Sequence, residues 1–236
     1  TLTLPLDKQA FEGAMIIPIT FEWKNFKGET FPVDVRITKE GLNIKGYGEI
    51  VPCAFFSTSF LAGTPTESAS RFSELSKKKR ERSVIEAVKQ HYPYVEDLSV
   101  ETTGGITMLY AAIRSLPEKV PLGIVSGGVN KLVTLLVALA NYSQGVVLID
   151  ELENGFYHAM LPQVWCSLLQ FCKEHDTQIY AATHSSEFLR SVVPCIHGNE
   201  EEFCLIRTEK ENNQCVPRIF GGRQLESAIE QEVEVR

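Results

Sequence analysis

Cysteine spacings that hold metal ions are missing from this chain of 236 residues. The six cysteines form no CxxC pair and no zinc-finger pattern, so no structural zinc site is predicted. We expect reduced thiols in a cytoplasmic protein, with Cys166 and Cys172 simply packing in the interior.

Long apolar runs and an excess of positive charge are also lacking. No stretch of about 18 apolar residues occurs, so no membrane-spanning helix and no membrane partner are predicted. The formal net charge of -7 argues against a surface devoted to nucleic acid, although a local basic patch could still contact DNA. With 44% hydrophobic residues the chain can bury a sizeable core, as one large domain or one domain with an insertion.

The segment from Gly145 to Glu151 is predicted to form the central strand of the fold and to carry a functional site at its end. Val146 to Ile149 are all apolar and three of the four are β-branched, which is typical of a central parallel strand covered by helices on both faces. Asp150 and Glu151 follow at the carboxyl end of this strand, where ligands bind in open α/β sheets. A magnesium ion carrying phosphates would relieve their mutual repulsion, with one carboxylate in the metal shell and one on a water. The alternative is a buried strand that merely ends in charged residues.

An anion site is predicted where Ser126-Gly127-Gly128 leads into an apolar helix that runs from about Lys131 to Tyr142. Small residues at a helix N-terminus expose unpaired N–H groups at the positive end of the helix dipole, and a phosphate would fit there. The alternative is that Ser126 is only the N-cap of this helix.

The same region is not a phosphate-binding P-loop. Gly123 and Gly128 have the required spacing, but Val129 and Asn130 stand where Lys and Ser/Thr are needed. The pattern GK[ST] occurs nowhere in the chain.

A second buried strand, Gln178 to Ala182, ends in Thr183-His184-Ser185-Ser186. His184 lies 184 − 151 = 33 positions after Glu151, which is the length of one strand-helix-strand unit with its helix over Phe156 to His175. The right-handed crossover rule makes the two strands parallel, so His184 should emerge at the same sheet edge as the carboxylates. A histidine there can donate to a γ-phosphate oxygen, or it can cap the following helix.

The first 60 residues are β-rich. Alternating apolar and polar residues predict an antiparallel meander with strands over Met15 to Trp23, Phe31 to Thr38 and Leu42 to Ile50. Val51 to Phe56 is a more continuous apolar run, and we expect it to enter the main sheet.

Residues 61–119 change to a helical and polar character, which indicates an insertion or lid. A helix is predicted over Ser70 to Gln90, followed by a hairpin around Gly104-Gly105. The run Lys77-Lys78-Lys79-Arg80, within the helix predicted over Ser70 to Gln90, could contact DNA phosphates. On a helix these four side chains would project in different directions, and nearby glutamates would lower the local positive charge. A solvent-exposed helix surface is therefore favoured over a DNA-binding site. A second hairpin is predicted near the end, from Phe203 to Phe220.

Taken in order, Ser126-Gly127-Gly128, Asp150-Glu151, Asn154-Gly155 and Thr183-His184-Ser185 resemble the motifs of ABC-type ATPases. The sequence from Leu148 to His158 is similar to that of soluble AAA/ABC ATPases related to the overcoming-lysogenization-defect (OLD) family, the RecF group and phage-defence ATPases. The resemblance implies an α/β fold with an ABC-ATPase-like, mostly parallel sheet flanked by helices.

The resemblance also implies a single ABC-type ATPase domain over residues 1–236. Its parts would be the β-rich segment 1–60, the helical insertion 61–119, and the segment 120–236 with the signature, Walker B and switch-histidine motifs. Ser126, Gly127 and Gly128 would contact the γ-phosphate of ATP bound on a second subunit, so the resemblance implies a homodimer with shared ATP sites.

At the sheet edge, the resemblance makes Asp150 the Walker B carboxylate of the magnesium shell and Glu151 the general base that orients water. Asn154 and Gly155 fall in the D-loop position, and His184 falls in the switch position at the γ-phosphate. The implied cofactors are ATP and Mg²⁺.

One family motif, the Walker A loop with its lysine, does not occur in the chain. We expect it upstream of Thr1, and ATP hydrolysis is conditional on it. No Q-loop glutamine can be assigned, and no nuclease domain of the OLD type fits after the last strands, so an effector such as a nuclease would be a separate polypeptide. The expected function is an ATPase subunit that controls a partner in anti-phage defence or DNA repair. The alternative is a non-hydrolysing scaffold of the same fold that assembles an effector.

Overall fold

The computed structural model describes residues 2–4, 19–24, 29–38, 41–46, 52–57, 65–211 and 214–230. The chain divides into two compact units, Thr1–Ile50 and Val51–Arg236. That residues 1–236 form one domain stays a prediction.

The first unit is an antiparallel sheet. Its strands are β1 (Leu2–Leu4), β2 (Ile19–Lys24), β3 (Thr30–Thr38) and β4 (Gly41–Gly46), in the order β1-β4-β3-β2. The predicted meander is confirmed for β2, β3 and β4, which pair in succession. The predicted strand residues 15–18 and 47–50 lie outside the described residues.

The second unit holds the remaining elements. Its strands are β5 (Cys53–Phe56), β6 (Val95–Thr103), β7 (Ile106–Ile113), β8 (Val120–Pro121), β9 (Val146–Ile149), β10 (Gln178–Ala181), β11 (Cys204–Glu211) and β12 (Gln214–Gly221). Its helices are α1 (Pro65–Lys77), α2 (Glu81–His91), α3 (Leu122–Val125), α4 (Gly127–Asn141), α5 (Leu161–His175), α6 (Ser186–Ile196) and α7 (Gly222–Glu230).

A parallel sheet in the order β10-β9-β5 places the predicted central strand in the middle. The expected entry of residues 51–56 into this sheet is confirmed, since Phe56 pairs with Ile149. The fold is mixed α/β with a parallel sheet flanked by helices, as predicted.

The two faces of this sheet differ. On one face Ala54, Phe56, Val147 and Ile149 are buried in the core. In the opposite row, Phe55 is 64% exposed and Tyr180 is 51% exposed. The described residues therefore do not provide the two-sided cover that the apolar run of β9 predicts.

Helix α4 lies at the centre of the core. Val129 and every position from Lys131 to Ala140 are buried, because α1, α2 and α5 pack around it. Helix α5 packs in turn against α6, and α6 packs against α7. A helix that is apolar on all sides can only be stable when it is enclosed in this way.

The helix predicted over Ser70 to Gln90 is two helices, α1 and α2. Lys79 has φ 57°, and the Leu75 carbonyl accepts from the amides of Lys78 and Arg80, both at 3.0 Å, which ends α1. The basic run therefore lies at the end of α1 and in the break before α2, and not along one continuous helix. Arg80 instead contacts His175 Nδ1 at 2.7 Å.

Both predicted hairpins are confirmed. Strands β6 and β7 pair around Gly104 and Gly105, which have φ values of 60° and 80°. Strands β11 and β12 pair near the end of the chain. The helix predicted from Phe156 begins later, at Leu161, after a 3-10 turn over His158–Met160.

One prediction about the cysteines is wrong. Cys166 and Cys195 form a disulfide with a Cα–Cα distance of 5.3 Å, because the packing of α5 against α6 brings together two positions 29 residues apart. Cys172 does pack in the core as predicted, and burial raises the pKa of its thiol to about 12. Within the described ranges, no helix combines the length and apolar character needed to cross a membrane.

Candidate functional site

The carboxyl ends of β9 and β10 lie side by side, as the crossover rule predicts. Ala181 pairs with Ile149, and the Ala182 amide donates to the Ile149 carbonyl at 2.8 Å. Asp150 therefore leaves the sheet at the same edge as His184, which is exposed. The cap of α6 is Ser185 and not His184, since the Ser185 hydroxyl accepts from the Phe188 amide at 3.0 Å.

The loop from Glu151 to Gly155 begins with an unusual backbone conformation. Glu151 has φ 49°, in the left-handed region that non-glycine residues rarely adopt. Its carboxylate accepts a hydrogen bond from the Asn154 side-chain amide, so two of the predicted site residues are in contact. Gly155 has φ 86°, which only glycine tolerates readily. Strain of this kind is concentrated at functional sites in proteins.

The N-terminus of α4 is capped by Ser126. The Ser126 hydroxyl accepts from the Val129 amide at 3.1 Å, so the N-cap interpretation is confirmed. The amides of Gly127 and Gly128 belong to the first turn, whose N–H groups have no acceptor within the helix. Capping therefore leaves those two amides available for an anion.

Gly128 brings this first turn against the loop that follows β9. A Cβ atom at Gly128 would lie 2.7 Å from the Tyr92 hydroxyl and 3.3 Å from the Gly155 carbonyl oxygen. Any side chain at residue 128 would therefore push against Tyr92 or the Gly155 backbone, and glycine permits this close approach without displacement. The structure thus brings together Gly128 and Gly155, which the sequence places in separate motifs.

Replacing Gly128 with alanine is expected to lower the free energy of unfolding by about 1–3 kcal/mol, because the added methyl group must displace the Gly155 carbonyl or the Tyr92 hydroxyl. Urea unfolding measures the change. Gly127→Ala is the matched control, since its Cβ would meet no atom within 4 Å, and we expect it to stay within about 1 kcal/mol of the parent. Adding Tyr92→Phe to Gly128→Ala should recover part of the loss. Equal stabilities of the two alanine variants would contradict the close approach.

Lys131, one turn further along α4, holds the same loop. Its side chain is 4% exposed, and its Nζ donates to the carbonyls of Glu151 at 3.2 Å, Leu152 at 2.7 Å and Asn154. The Nζ atom also lies 5.1 Å from the centre of the Phe156 ring. Burial lowers the pKa of Lys131 to about 8, although the nearby carboxylates of Glu153 and Glu151 favour the charged form.

Lys131 is not among the site residues that the sequence motifs predict. A signal was present, because this lysine stands alone among apolar residues on a helix that had to be buried. A buried cation needs partners. The sequence does not show that these partners are the carbonyls of the loop after β9.

The loop is tied to β10 on its other side. Thr183 Oγ1 donates to the Glu153 carboxylate at 2.7 Å, and the Leu152 amide donates to the Ala182 carbonyl at 3.4 Å. Glu153 and Thr183 are further residues whose roles the sequence did not indicate. The segment that carries Asp150 and Glu151 is thus fixed between α4 and the end of β10.

Asp150 and Glu151 are not part of a ready-made metal cage. Among the described residues, three ligating side chains converge only at His197, Glu200 and Glu226, and this set includes neither Asp150 nor Glu151. Two carboxylates without a cage suit Mg²⁺, which keeps several waters and takes the rest of its shell from substrate phosphates. The donor set at this edge therefore fits magnesium with a phosphate-bearing ligand.

Comparison with known proteins gives a fold and one distant relative. No family model matches the chain. An ATP/GTP phosphatase of Helicobacter pylori is 26% identical over 128 residues, which are 51% of this chain and 34% of that protein. The chain thus matches about a third of the length of this curated relative.

Solved structures of SMC head domains are also similar. An SMC head bound to the C-winged helix domain of ScpA has a TM-score of 0.54 at 12% identity, over 92% of this chain and 77% of that one. An SMC head with an extended coiled coil, bound to the C-terminal domain of ScpA from Pyrococcus furiosus, has a TM-score of 0.49 at 10% identity, over 86% and 75% of the two chains. The first likeness concerns the fold alone, which is similar to that of an SMC head.

Proposed function

We propose that this chain is an ATPase subunit that dimerises around ATP and couples ATP hydrolysis to the conformation of a partner. The observation that carries the proposal is the contact between the first turn of α4 and the loop after β9. Through Gly128, Gly155 and Lys131, a helix N-terminus suited to a phosphate is joined to a sheet edge with two carboxylates. Each feature suits a nucleoside triphosphate with Mg²⁺: the carboxylates suit the metal of one triphosphate, and the helix N-terminus suits the phosphate of another that is held on a second subunit.

In this proposal the carboxylates of Asp150 and Glu151 have different roles. Asp150 would hold Mg²⁺ through its shell, and bound Mg²⁺ would neutralise the β- and γ-phosphate oxygens. Glu151 would orient the attacking water and accept its proton, and Asn154 would hold the Glu151 carboxylate in place. His184, exposed at the same edge, would donate to a γ-phosphate oxygen.

The glycine-rich end of α4 would serve a second subunit. Ser126, Gly127 and Gly128 would contact the γ-phosphate of ATP held on that subunit, which makes two composite sites in a homodimer. The chain contains no GK[ST] sequence, so the proposal needs a Walker A cradle for the β- and γ-phosphates that residues 1–236 do not supply.

The comparisons support this function in outline. The Helicobacter pylori relative is named an ATP/GTP phosphatase, which supports nucleotide hydrolysis. The SMC head is bound to a domain of ScpA, which supports a separate protein partner for a head of this fold. Within the proposal, the chain belongs to the OLD/RecF-like group, its partner is an effector such as a nuclease, and its setting is anti-phage defence or DNA repair.

The second candidate is a non-hydrolysing scaffold of the same fold. The similar SMC head is bound to a domain of ScpA, so assembly of a partner by a head of this fold supports this candidate. A scaffold would assemble its effector without nucleotide turnover.

Nucleotide-dependent association of the full-length protein distinguishes the proposed ATPase from the non-hydrolysing scaffold. Sedimentation should show a monomer without nucleotide and a dimer with ATP and Mg²⁺, whereas ADP should not produce the dimer. Phosphate release should stop when EDTA removes the metal, because the triphosphate then lacks its counter-charge. A protein that binds no ATP, and whose association is the same with and without nucleotide, would contradict the proposal and favour the scaffold.

A further inference from the structure

A buried lysine is costly unless its ammonium is fully hydrogen-bonded, and Lys131 meets this condition in one particular way. Its Nζ has three N–H donors, and its three acceptors are the carbonyls of Glu151, Leu152 and Asn154. All three belong to a single loop, which curls around the ammonium. The lysine thus determines where the backbone of this loop lies.

The hydrogen bonds form a closed ring around Glu151. Lys131 donates to the Glu151 carbonyl, the Glu151 carboxylate accepts from the Asn154 side chain, and the Asn154 carbonyl accepts from Lys131. The side chain of Glu151 is therefore held by a residue whose own backbone is held by the lysine. The left-handed conformation of Glu151 persists because its surroundings fix it, and Lys131 is part of those surroundings.

The stem of Lys131 completes the packing. A Cβ atom at Gly155 would lie 3.6 Å from the Lys131 Cδ, and the Phe156 ring lies beneath the ammonium. The lysine thus contacts the loop from its start at Glu151 to the residue that follows its end. It extends from α4, whose first turn is the anion site proposed above.

We propose that Lys131 is a positioning residue that holds the Glu151–Gly155 loop, and with it the Glu151 carboxylate, in register with the first turn of α4. The structural part concerns the loop in the protein without nucleotide. The catalytic part rests on the proposed function, because it takes Glu151 as the base. A movement of the first turn of α4 on contact with a phosphate would then reach Glu151 through Lys131.

Amide hydrogen exchange of the full-length protein without nucleotide tests whether Lys131 holds the Glu151–Gly155 loop. Lys131→Met keeps the length of the side chain but removes the charge and all donors. Amides of residues 151–156 should then exchange at least about 10-fold faster, while those of β9 and α5 keep their rates. Lys131→Arg keeps a cation with donors and should restore most of the protection.

Leu136→Ala is the matched control for a general loss of stability. Leu136 is fully buried on the same helix, and its side chain has no group that could hydrogen-bond to the loop. This variant should lower the melting temperature while the loop keeps its protection relative to β9. If Lys131→Met leaves the loop rates unchanged, or raises them only in step with β9 and α5, the proposal is overturned. Should Lys131→Met not fold, Lys131→Gln, which is shorter and uncharged and cannot make all three hydrogen bonds, must loosen the same loop, and an unaltered loop overturns the proposal.

Steady-state ATPase measurements test the catalytic part separately. Lys131→Met should lower kcat with little change in KM for ATP, because the lysine touches the loop of the base and not the nucleotide. If the loop loosens and kcat is unchanged, Lys131 does not position the base. A parent protein without any ATPase activity would refute the proposed function, while the exchange rates would still decide whether Lys131 holds the loop.

Discussion

Replacing Glu151 with glutamine is expected to lower ATP turnover by roughly 10²–10⁴-fold while ATP binding persists. Glutamine keeps the size of the side chain and an oxygen that can accept from Asn154, so the loop contact seen in the structure is retained. Only the ability to take a proton from water is lost. Binding without turnover is therefore the expected result, measured by phosphate release and by equilibrium binding of labelled ATP.

Two further substitutions separate this role from a general effect of charge. Glu153→Gln removes the same charge from the same loop but from a side chain that accepts from Thr183, and we expect turnover to fall by less than about 10-fold. Asp150→Ala should instead lose magnesium-dependent ATP binding, because it removes the carboxylate proposed for the metal shell. Equal hydrolysis by Glu151→Gln and the parent protein would refute the assignment of Glu151 as the base.

The sheet edge could be predicted because strong local signals agree there. The apolar runs of β9 and β10 fix two strands, the helical segment between them makes the strands parallel, and the handedness of the crossover places Glu151 and His184 at one edge. The tight turn at Gly155 follows from glycine chemistry alone. These inferences need only the order and spacing of residues along the chain.

The contacts between distant segments could not be predicted in this way. Periodicity shows which face of a helix is buried but does not identify the atoms that it meets, so the acceptors of Lys131 and the neighbours of Gly128 were missed. The disulfide between Cys166 and Cys195 has the same origin, because it depends on how α5 packs against α6.

The break between helices α1 and α2 could not be predicted from the sequence either. A polar helix gives a weak pattern, so the left-handed residue at Lys79 that separates α1 from α2 leaves little trace in the sequence. As a result, the basic run was placed on a continuous helix. Its actual position shows that a charge pattern can be interpreted only after the backbone beneath it is known.

Replacing Ser126 with arginine is expected to abolish ATP turnover by blocking the dimer, while each chain keeps its own Asp150 and Glu151. The arginine would occupy the space that the proposal reserves for the γ-phosphate on the other subunit. The substitution also removes the cap that Ser126 provides to α4, which costs about 1 kcal/mol. Ser126→Ala loses the same cap and the hydroxyl proposed to contact the γ-phosphate, but it adds no bulk. It should therefore still dimerise with ATP, with reduced turnover, and is the matched control for the block. Sedimentation with ATP should show a dimer for Ser126→Ala and a monomer for Ser126→Arg.

Mixing Ser126→Arg with Glu151→Gln then tests whether each site is shared between two chains. In a heterodimer with composite sites, one site receives both lesions and the other receives neither, so the intact site can turn over ATP. Each mixed dimer has one working site, so it should turn over ATP at about half the rate of a wild-type dimer, and the measured proportion of mixed dimers sets the total rate. The proportion of mixed dimers is measured by mass spectrometry on differently tagged chains. If the tags show mixed dimers and the mixture stays as inactive as either parent, then Ser126 does not act across the interface, or the two sites cannot work independently.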